Sequence, residues 1–258
     1  MSGRMKTAVI SGGAGGLGRA LARMLQDRGW LTILIDRETG NLPSTASQWP
    51  IACDLTDAAA RRTAFAKILK SHPAIDLVIY NAGITQIGAF ETSDEISHRK
   101  VFEINYFAAV EMTRAFLKAV RAARGTHLAI SSVAGFSPLY HRTSYAGSKH
   151  ALEGFFKSLR SEEAEFGVNT LIAAPSFVAT KIGNDQRQAD GTARPGSAGD
   201  GIDYMTPDEA AAVILKGYDC ARPMIPVGRI ARLAWWINSL SPRLFQRLME
   251  RNVRGHKA

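Results

Sequence analysis

The sequence predicts an α/β domain: a parallel sheet of about seven strands, doubly wound with helices on both faces, and a helical extension at the C-terminal end. Three observations predict it. Short β-branched or apolar runs alternate with longer helical patterns along most of the chain, as right-handed βαβ units require. The first run ends in a glycine-rich turn, SGGAGGLG at 11–18, which opens a helix. The 258 residues, 46% apolar, can bury the core of one large domain.

The strands follow in order as KTAVIS (6–11), LTILID (31–36), PIACD (50–54), IDLVIY (75–80), THLAIS (126–131), VNTLIAA (168–174) and PMIPVG (223–228). Helical patterns between them cover 16–29, 57–72, 95–124 and 145–167. One stretch breaks the rhythm. Residues 183–201, GNDQRQADGTARPGSAGDG, are rich in glycine and polar side chains, and a loop this long inside a compact domain is usually functional or mobile. With Tyr204 and Met205 it reads as a mobile substrate loop over 183–205.

Composition excludes several classes. No apolar run approaches the roughly 18 residues that span a bilayer, and TAVI near the start is too short for a secretory signal. Cys53 and Cys220 lie far apart, which provides no disulfide framework and suits a reducing compartment. The six histidines show no metal-ligand spacing. These features predict a cytoplasmic protein without a structural metal.

At the first strand–helix junction, Gly12, Gly16 and Gly18 permit a tight turn and close approach of backbone to a pyrophosphate, which the helix N-terminus attracts. No G-K-[ST] follows, so the turn is not a Walker loop. The second strand ends in Asp36, eighteen residues after Gly18. A carboxylate there accepts hydrogen bonds from the adenosine ribose and repels a 2′-phosphate, favouring NAD over NADP. The adjacent Arg37 pulls the other way. Further on, Tyr145 and Lys149 stand one helical turn apart, where a phenol and an ammonium can share a face. A lysine placed so is expected to lower the phenol's pKa and make it a proton-transfer group.

With these residues in place, the chain resembles the classical short-chain dehydrogenase/reductase family. The likeness runs through residues 5–228: SGGAGGLG, Asp36, CDL at 53–55, YNAG at 80–83, Asn105, ISS at 130–132, Tyr145-x-x-x-Lys149 and PSFVAT at 175–180. It implies a Rossmann-type dehydrogenase domain over 1–228 and leaves a basic amphipathic extension over 229–258 outside the likeness. The implied catalytic residues are Tyr145 as general acid/base, Lys149 tuning it and holding the nicotinamide ribose, Ser132 polarising the substrate oxygen, and Asn105 holding a relay water. The implied cofactor contacts are Ser11, Gly12, Gly16, Leu17 and Gly18 at the turn, and Asp36 and Arg37 at the ribose. Asp54 and Leu55 follow at the adenine, Asn81 and Gly83 along the adenosine side, and Pro175 and Thr180 at the carboxamide, with Tyr145 and Lys149. Three positions depart from the family pattern: Ser11 for Thr, Tyr80 for Asn and Ser176 for Gly. Ser176 is expected to shift the nicotinamide wall, because glycine permits backbone angles that other residues resist.

The segment between Ser132 and Tyr145 brings Phe136, Pro138, Leu139, Tyr140 and His141 toward the pocket, and Phe177 follows Pro175. These residues predict an apolar secondary alcohol or ketone as substrate, and the family implies a homo-oligomer. The leading reading is an NAD-dependent dehydrogenase. The alternatives are an NADP-linked carbonyl or 3-oxoacyl reductase acting on a carrier-bound substrate, and a catalytically silent dinucleotide-binding module.

The tail is the last feature. Residues 221–258 hold eight Lys and Arg against one acid, +7 of the chain's +9. Ile230, Leu233, Ala234, Ile237 and Leu240 follow helical spacing beside Trp235 and Trp236. Ser241-Pro242 then starts a second helix with Leu244, Phe245, Leu248 and Met249. Either these helices meet a membrane interface, or they cover the pocket or a neighbouring subunit. Nucleic-acid binding is not expected, since no reading module accompanies the charge.

Overall fold

A computed structural model of the protein describes residues 4–40, 42–179, 192–193 and 204–255. Seven strands form one parallel sheet: β1 (Thr7–Ser11), β2 (Leu31–Asp36), β3 (Gln48–Ala52), β4 (Leu77–Tyr80), β5 (Thr126–Ile130), β6 (Asn169–Pro175) and β7 (Met224–Val227). Their order across the sheet is β3-β2-β1-β4-β5-β6-β7. Central strands are buried on both faces, and so they read as continuous apolar runs rather than alternating ones. Val9, Ile33, Val78, Ala129 and Ile172 face one helical layer; Ala8, Ile10, Leu34, Ile79, Leu128 and Ala173 face the other. Pro50 and Pro226 lie on the edge strands β3 and β7, where a missing N–H is tolerated.

The first layer holds α2 (Ala58–Ser71), α4 (Ala108–Ala123) and α5 (Thr143–Glu163), which contribute Phe65, Ile68, Met112, Phe116 and Phe156. The second holds α1 (Gly16–Gln26) and α6 (Pro207–Asp219), with Leu21, Leu25, Ile214 and Leu215. The helical patterns read from the sequence do not include α6, although its start is legible. Thr206 and Glu209 form a reciprocal capping box with Pro207 in the first turn.

Residues 95–124 are not one uniform helix. α3 (Glu95–Phe102) passes into α4 through a π-helical turn over Glu103–Phe107. Such turns concentrate at functional sites, and this one carries Asn105. Beyond the sheet, Thr85–Gln86 pairs antiparallel with Thr192–Ala193, and Phe177–Val178 pairs parallel with Tyr204–Met205. Otherwise the predicted loop over 183–205 lies outside the described residues.

At the C-terminal end, α7 (Arg229–Leu240) and α8 (Pro242–Gly255) form the expected helix pair. Ser241 Oγ accepts from Leu244 N–H at 3.4 Å, the predicted cap. Among the described residues, no helix is long and apolar enough to cross a membrane.

The chain runs from β1 outward to β3 on one side and from β4 outward to β7 on the other. Where the order reverses, between β1 and β4, the strand ends diverge and leave a crevice. The candidate site occupies it.

Candidate active site

The glycine turn is built by close packing. Gly12 has φ +63°, and a Cβ there would lie 2.9 Å from Asn81 Nδ2. At Gly18 a Cβ would fall 2.2 Å from the Gly12 carbonyl oxygen. Only glycine lets α1 start this close beneath the turn, so its free N–H groups face the crevice. Gly13, which the sequence reading left aside, is as tight: its Cβ would meet Leu34 Cβ at 2.7 Å.

Ser11 and Asn81 hold this turn from behind. Ser11 Oγ accepts from the N–H groups of Asn81 (3.0 Å) and Ala82 (3.1 Å). The Asn81 amide donates to the carbonyls of Ser11 (3.1 Å) and Gly12 (3.0 Å). The hydroxyl at position 11 therefore stitches the end of β1 to the end of β4.

At the end of β2, Asp36 Oδ2 accepts from Ala14 N–H at 3.0 Å. The aspartate orients the glycine turn as well as facing the crevice. Arg37 next to it is exposed and approaches Glu38 at 3.8 Å. Asp54 accepts from Thr56 N–H at 2.8 Å and from Thr56 Oγ1 at 2.7 Å. These bonds hold its carboxyl below the usual range.

Ser132, Tyr145 and Lys149 reach the cavity from two places. Ser132 follows β5, and its hydroxyl accepts from Ala134 N–H at 3.2 Å while lining the cavity beside Tyr145. Tyr145 and Lys149 are successive turns of α5, both buried. The Lys149 ammonium donates to the Ile130 carbonyl at 2.8 Å and lies 5.8 Å from the Tyr145 ring centroid. Burial pushes Lys149 down to about 8, against the pull of Glu153.

Here the expected electrostatics are corrected. Burial raises the Tyr145 pKa, while the Ser132 hydroxyl and the Arg142 charge lower it in part. The Lys149 ammonium donates to the Ile130 carbonyl rather than to the phenol. Arg142, three residues before Tyr145, is also buried, and its charge favours the phenolate.

Asn105 is buried behind these groups. Its Oδ1 accepts from Ile84 N–H at 2.8 Å, and its Nδ2 donates to Ile84 O and to Ser148 Oγ, each at 2.9 Å. It therefore clamps the segment after β4 to α5. A second buried group, absent from the sequence reading, is Glu153. It accepts from Ser131 Oγ and from Lys157 Nζ, both at 2.8 Å. The i, i+4 relation of Lys149 and Glu153 was the signal that could have found it.

All of this surrounds one cavity of about 510 Å³. Of the residues expected at the site, Gly12, Gly16, Leu17, Asp36, Arg37, Asp54, Leu55, Asn81, Gly83, Ser132, Tyr145, Lys149 and Pro175 line it. Ser11, Gly18 and Asn105 support it from behind, and Thr180 lies outside the described residues. Leu139 and Phe177 line the cavity, whereas Tyr140 and His141 are exposed. Ile84, Ile104 and Arg142 line it without having been expected there, and Ile230, Ala234 and Met249 line it as well, so that α7 and α8 roof the cavity, one of the two alternatives for the tail.

Two departures from the family pattern also resolve. Ser176 has no positive φ; that conformation sits at Gly228 (φ +102°) facing it, so the expected strain at Ser176 is absent. Tyr80 packs on Phe156 with ring centroids 4.7 Å apart, and its hydroxyl meets His127 Nδ1 at 2.6 Å. The tyrosine fills the core beneath the site.

A seven-stranded parallel sheet with a glycine turn and a strand-end carboxylate at its switch point defines a dinucleotide-binding α/β protein. The family model for short chain dehydrogenase matches residues 6–191. Dehydrogenase/reductase SDR family member 7B of Rattus norvegicus is 31% identical, with 98% of this chain and 83% of the relative covered. The chain belongs to the short-chain dehydrogenase family. Among solved structures, a short chain dehydrogenase from Burkholderia cenocepacia in complex with NADP superimposes with a TM-score of 0.82 at 21% identity, covering 94% of this chain and 96% of that one. A short chain dehydrogenase/reductase from Burkholderia phymatum in complex with NAD gives 0.72 at 20% identity, covering 86% and 88%. These two share the fold.

Proposed function

We propose that the protein transfers a hydride between NAD and an apolar secondary alcohol or ketone, with Tyr145 as the proton carrier. The observation that carries this reading is that Ser132, Tyr145 and Lys149 line one cavity together with the Gly12–Leu17 turn. The turn fits a dinucleotide because the residues it needs are small: Gly12 and Gly18 leave no Cβ where the chain packs tightest.

The bound cofactor supplies the hydride acceptor or donor. The chain's own residues orient and move the proton. In reduction, the substrate oxygen sits between the Ser132 hydroxyl and the Tyr145 phenol; Ser132 donates a hydrogen bond and Tyr145 delivers its proton as the carbonyl carbon gains hydride. In oxidation the same proton returns to Tyr145. Burial keeps the phenol protonated at neutral pH, which is the form reduction consumes. Lys149, largely cationic below about 8, can offer its remaining protons to the ribose hydroxyls, and Asn105 keeps the strand behind it in place. Apolar lining by Ile84, Ile104, Leu139, Phe177, Ile230 and Met249 supports an apolar substrate.

Asp36 supports NAD, and Arg37 beside it is the one observation that favours NADP. Turnover of a panel of secondary alcohols and ketones with each cofactor tests the reading. Tyr145→Phe should lower kcat by a factor of 10² or more while cofactor binding, read by fluorescence, stays within about threefold. Near-normal turnover in that variant would refute the assignment.

A further inference from the structure

Helices α7 and α8 do two things at once. Their inner side is part of the site: Ile230, Ala234 and Met249 line the cavity, and Ala231 and Phe245 are buried. Their outer side is apolar. Among the described residues twelve large hydrophobic side chains are exposed, and six of them lie on this helix pair: Ile230, Leu233, Trp236, Leu240, Leu244 and Leu248. On α7, positions 233, 236 and 240 share one stripe by helical spacing; on α8, positions 244 and 248 do, while Phe245 and Met249 turn inward.

The charge around this stripe has one sign. Arg229, Arg232, Arg243 and Arg247 are exposed beside the leucines, and among the described residues none of the four is in an ion pair. No acidic residue occurs between Asp219 and Glu250. An apolar centre flanked by uncompensated arginines and a half-exposed tryptophan complements an anionic lipid surface. It does not complement a second copy of itself, because a two-fold contact would set four arginines against four more. Nor does a nucleic-acid backbone use the exposed leucines, which would stay hydrated against phosphate.

We propose that the outer face of α7–α8 docks the protein on an anionic bilayer surface. Ile230 lines the cavity and is still 38% exposed, so it stands on the cavity rim. Docking therefore lays that rim against the bilayer, where apolar compounds partition.

The test uses the full-length protein and vesicles of phosphatidylcholine with about a third phosphatidylserine, against phosphatidylcholine alone. Binding to the mixed vesicles is expected at low salt and lost at about 1 M salt, where the screening length is about 3 Å. Each of Arg229→Gln, Arg232→Gln, Arg243→Gln and Arg247→Gln should weaken binding about fivefold. Leu233→Asn with Leu244→Asn should weaken it further. Trp236 emission should shift to the blue on mixed vesicles, and the shift should vanish in Trp236→Phe. None of these side chains lines the cavity, so cofactor binding and melting temperature report that each variant folds. Failure to sediment with mixed vesicles at low salt overturns the proposal, as does binding indifferent to the arginine changes. A drop in particle mass on Leu233→Asn in lipid-free solution would also overturn it, showing that a second copy covers the face.

Discussion

Adding one methyl group at each of two helical glycines should have opposite effects. Gly154 lies in the middle of α5, exposed, with nothing within 4 Å of the Cβ position. Gly154→Ala should therefore gain the helix-propensity difference of about 1 kcal/mol. For 258 residues, an unfolding entropy of about 2.1 cal/mol/K per residue converts that gain to roughly 2 °C in Tm. Gly18 lies in the first turn of α1, where the new Cβ would sit 2.2 Å from the Gly12 carbonyl oxygen and 2.9 Å from Gly13 Cα. Carbon–oxygen contact needs about 1 Å more, and neither partner moves freely. The Gly12 carbonyl is held by Asn81 at 3.0 Å, while α1 is anchored by buried Leu17, Leu21 and Leu25. Overpacking of this kind costs about 1–3 kcal/mol, so Gly18→Ala should lose roughly 2–6 °C. Any relief must open the turn, so NAD affinity should also fall, by about tenfold or more, on the order of 1.4 kcal/mol. Thermal melts and fluorescence titration of both variants measure these effects. If Gly18→Ala gained stability as Gly154→Ala does and bound NAD normally, the close approach of turn and helix would be wrong.

Three further outcomes are expected. Asp36→Ala should narrow the preference for NAD(H) over NADP(H) and, by freeing Ala14 N–H, weaken both; tighter NADP(H) binding in the unmodified protein would show that Arg37 outweighs the carboxylate. His127 has its pKa held at about 4 by burial, below the ordinary 6.5. Between those values the unfolded chain takes up a proton that the folded chain refuses, so stability falls by about 3 kcal/mol as pH drops through that window. Tm against pH should be flatter there in His127→Gln, and parallel curves would refute the assignment. Lys149, depressed to about 8 from 10.5, works in the alkaline window: stability rises with pH between those values, and Lys149→Met should remove that rise.

Local pattern carried much of this protein. Seven apolar runs became seven strands because parallel strands buried on both faces leave a continuous hydrophobic signature. The glycine turn, Asp36 and the Tyr145–Lys149 pair were legible because their spacing follows from one turn or one strand end. Ser241-Pro242 announced α8 for the same reason: capping needs only neighbours in sequence.

Tertiary structure decided what depends on distant partners. That burial keeps the Tyr145 phenol protonated, with Arg142 pulling the other way and Lys149 donating to the Ile130 carbonyl, follows from the packing of α5 against β5. That Ser11 is a brace rather than a cavity wall follows from the pairing of β1 with β4, which brings Asn81 to it across seventy residues. The sequence left the tail between roofing the pocket and meeting a membrane. Packing assigned its inner side to the roof, because Ala234 and Met249 point into the cavity, and left Leu233, Trp236 and the arginines outward. An amphipathic pattern shows that a helix has two faces; only the neighbours show what each face meets.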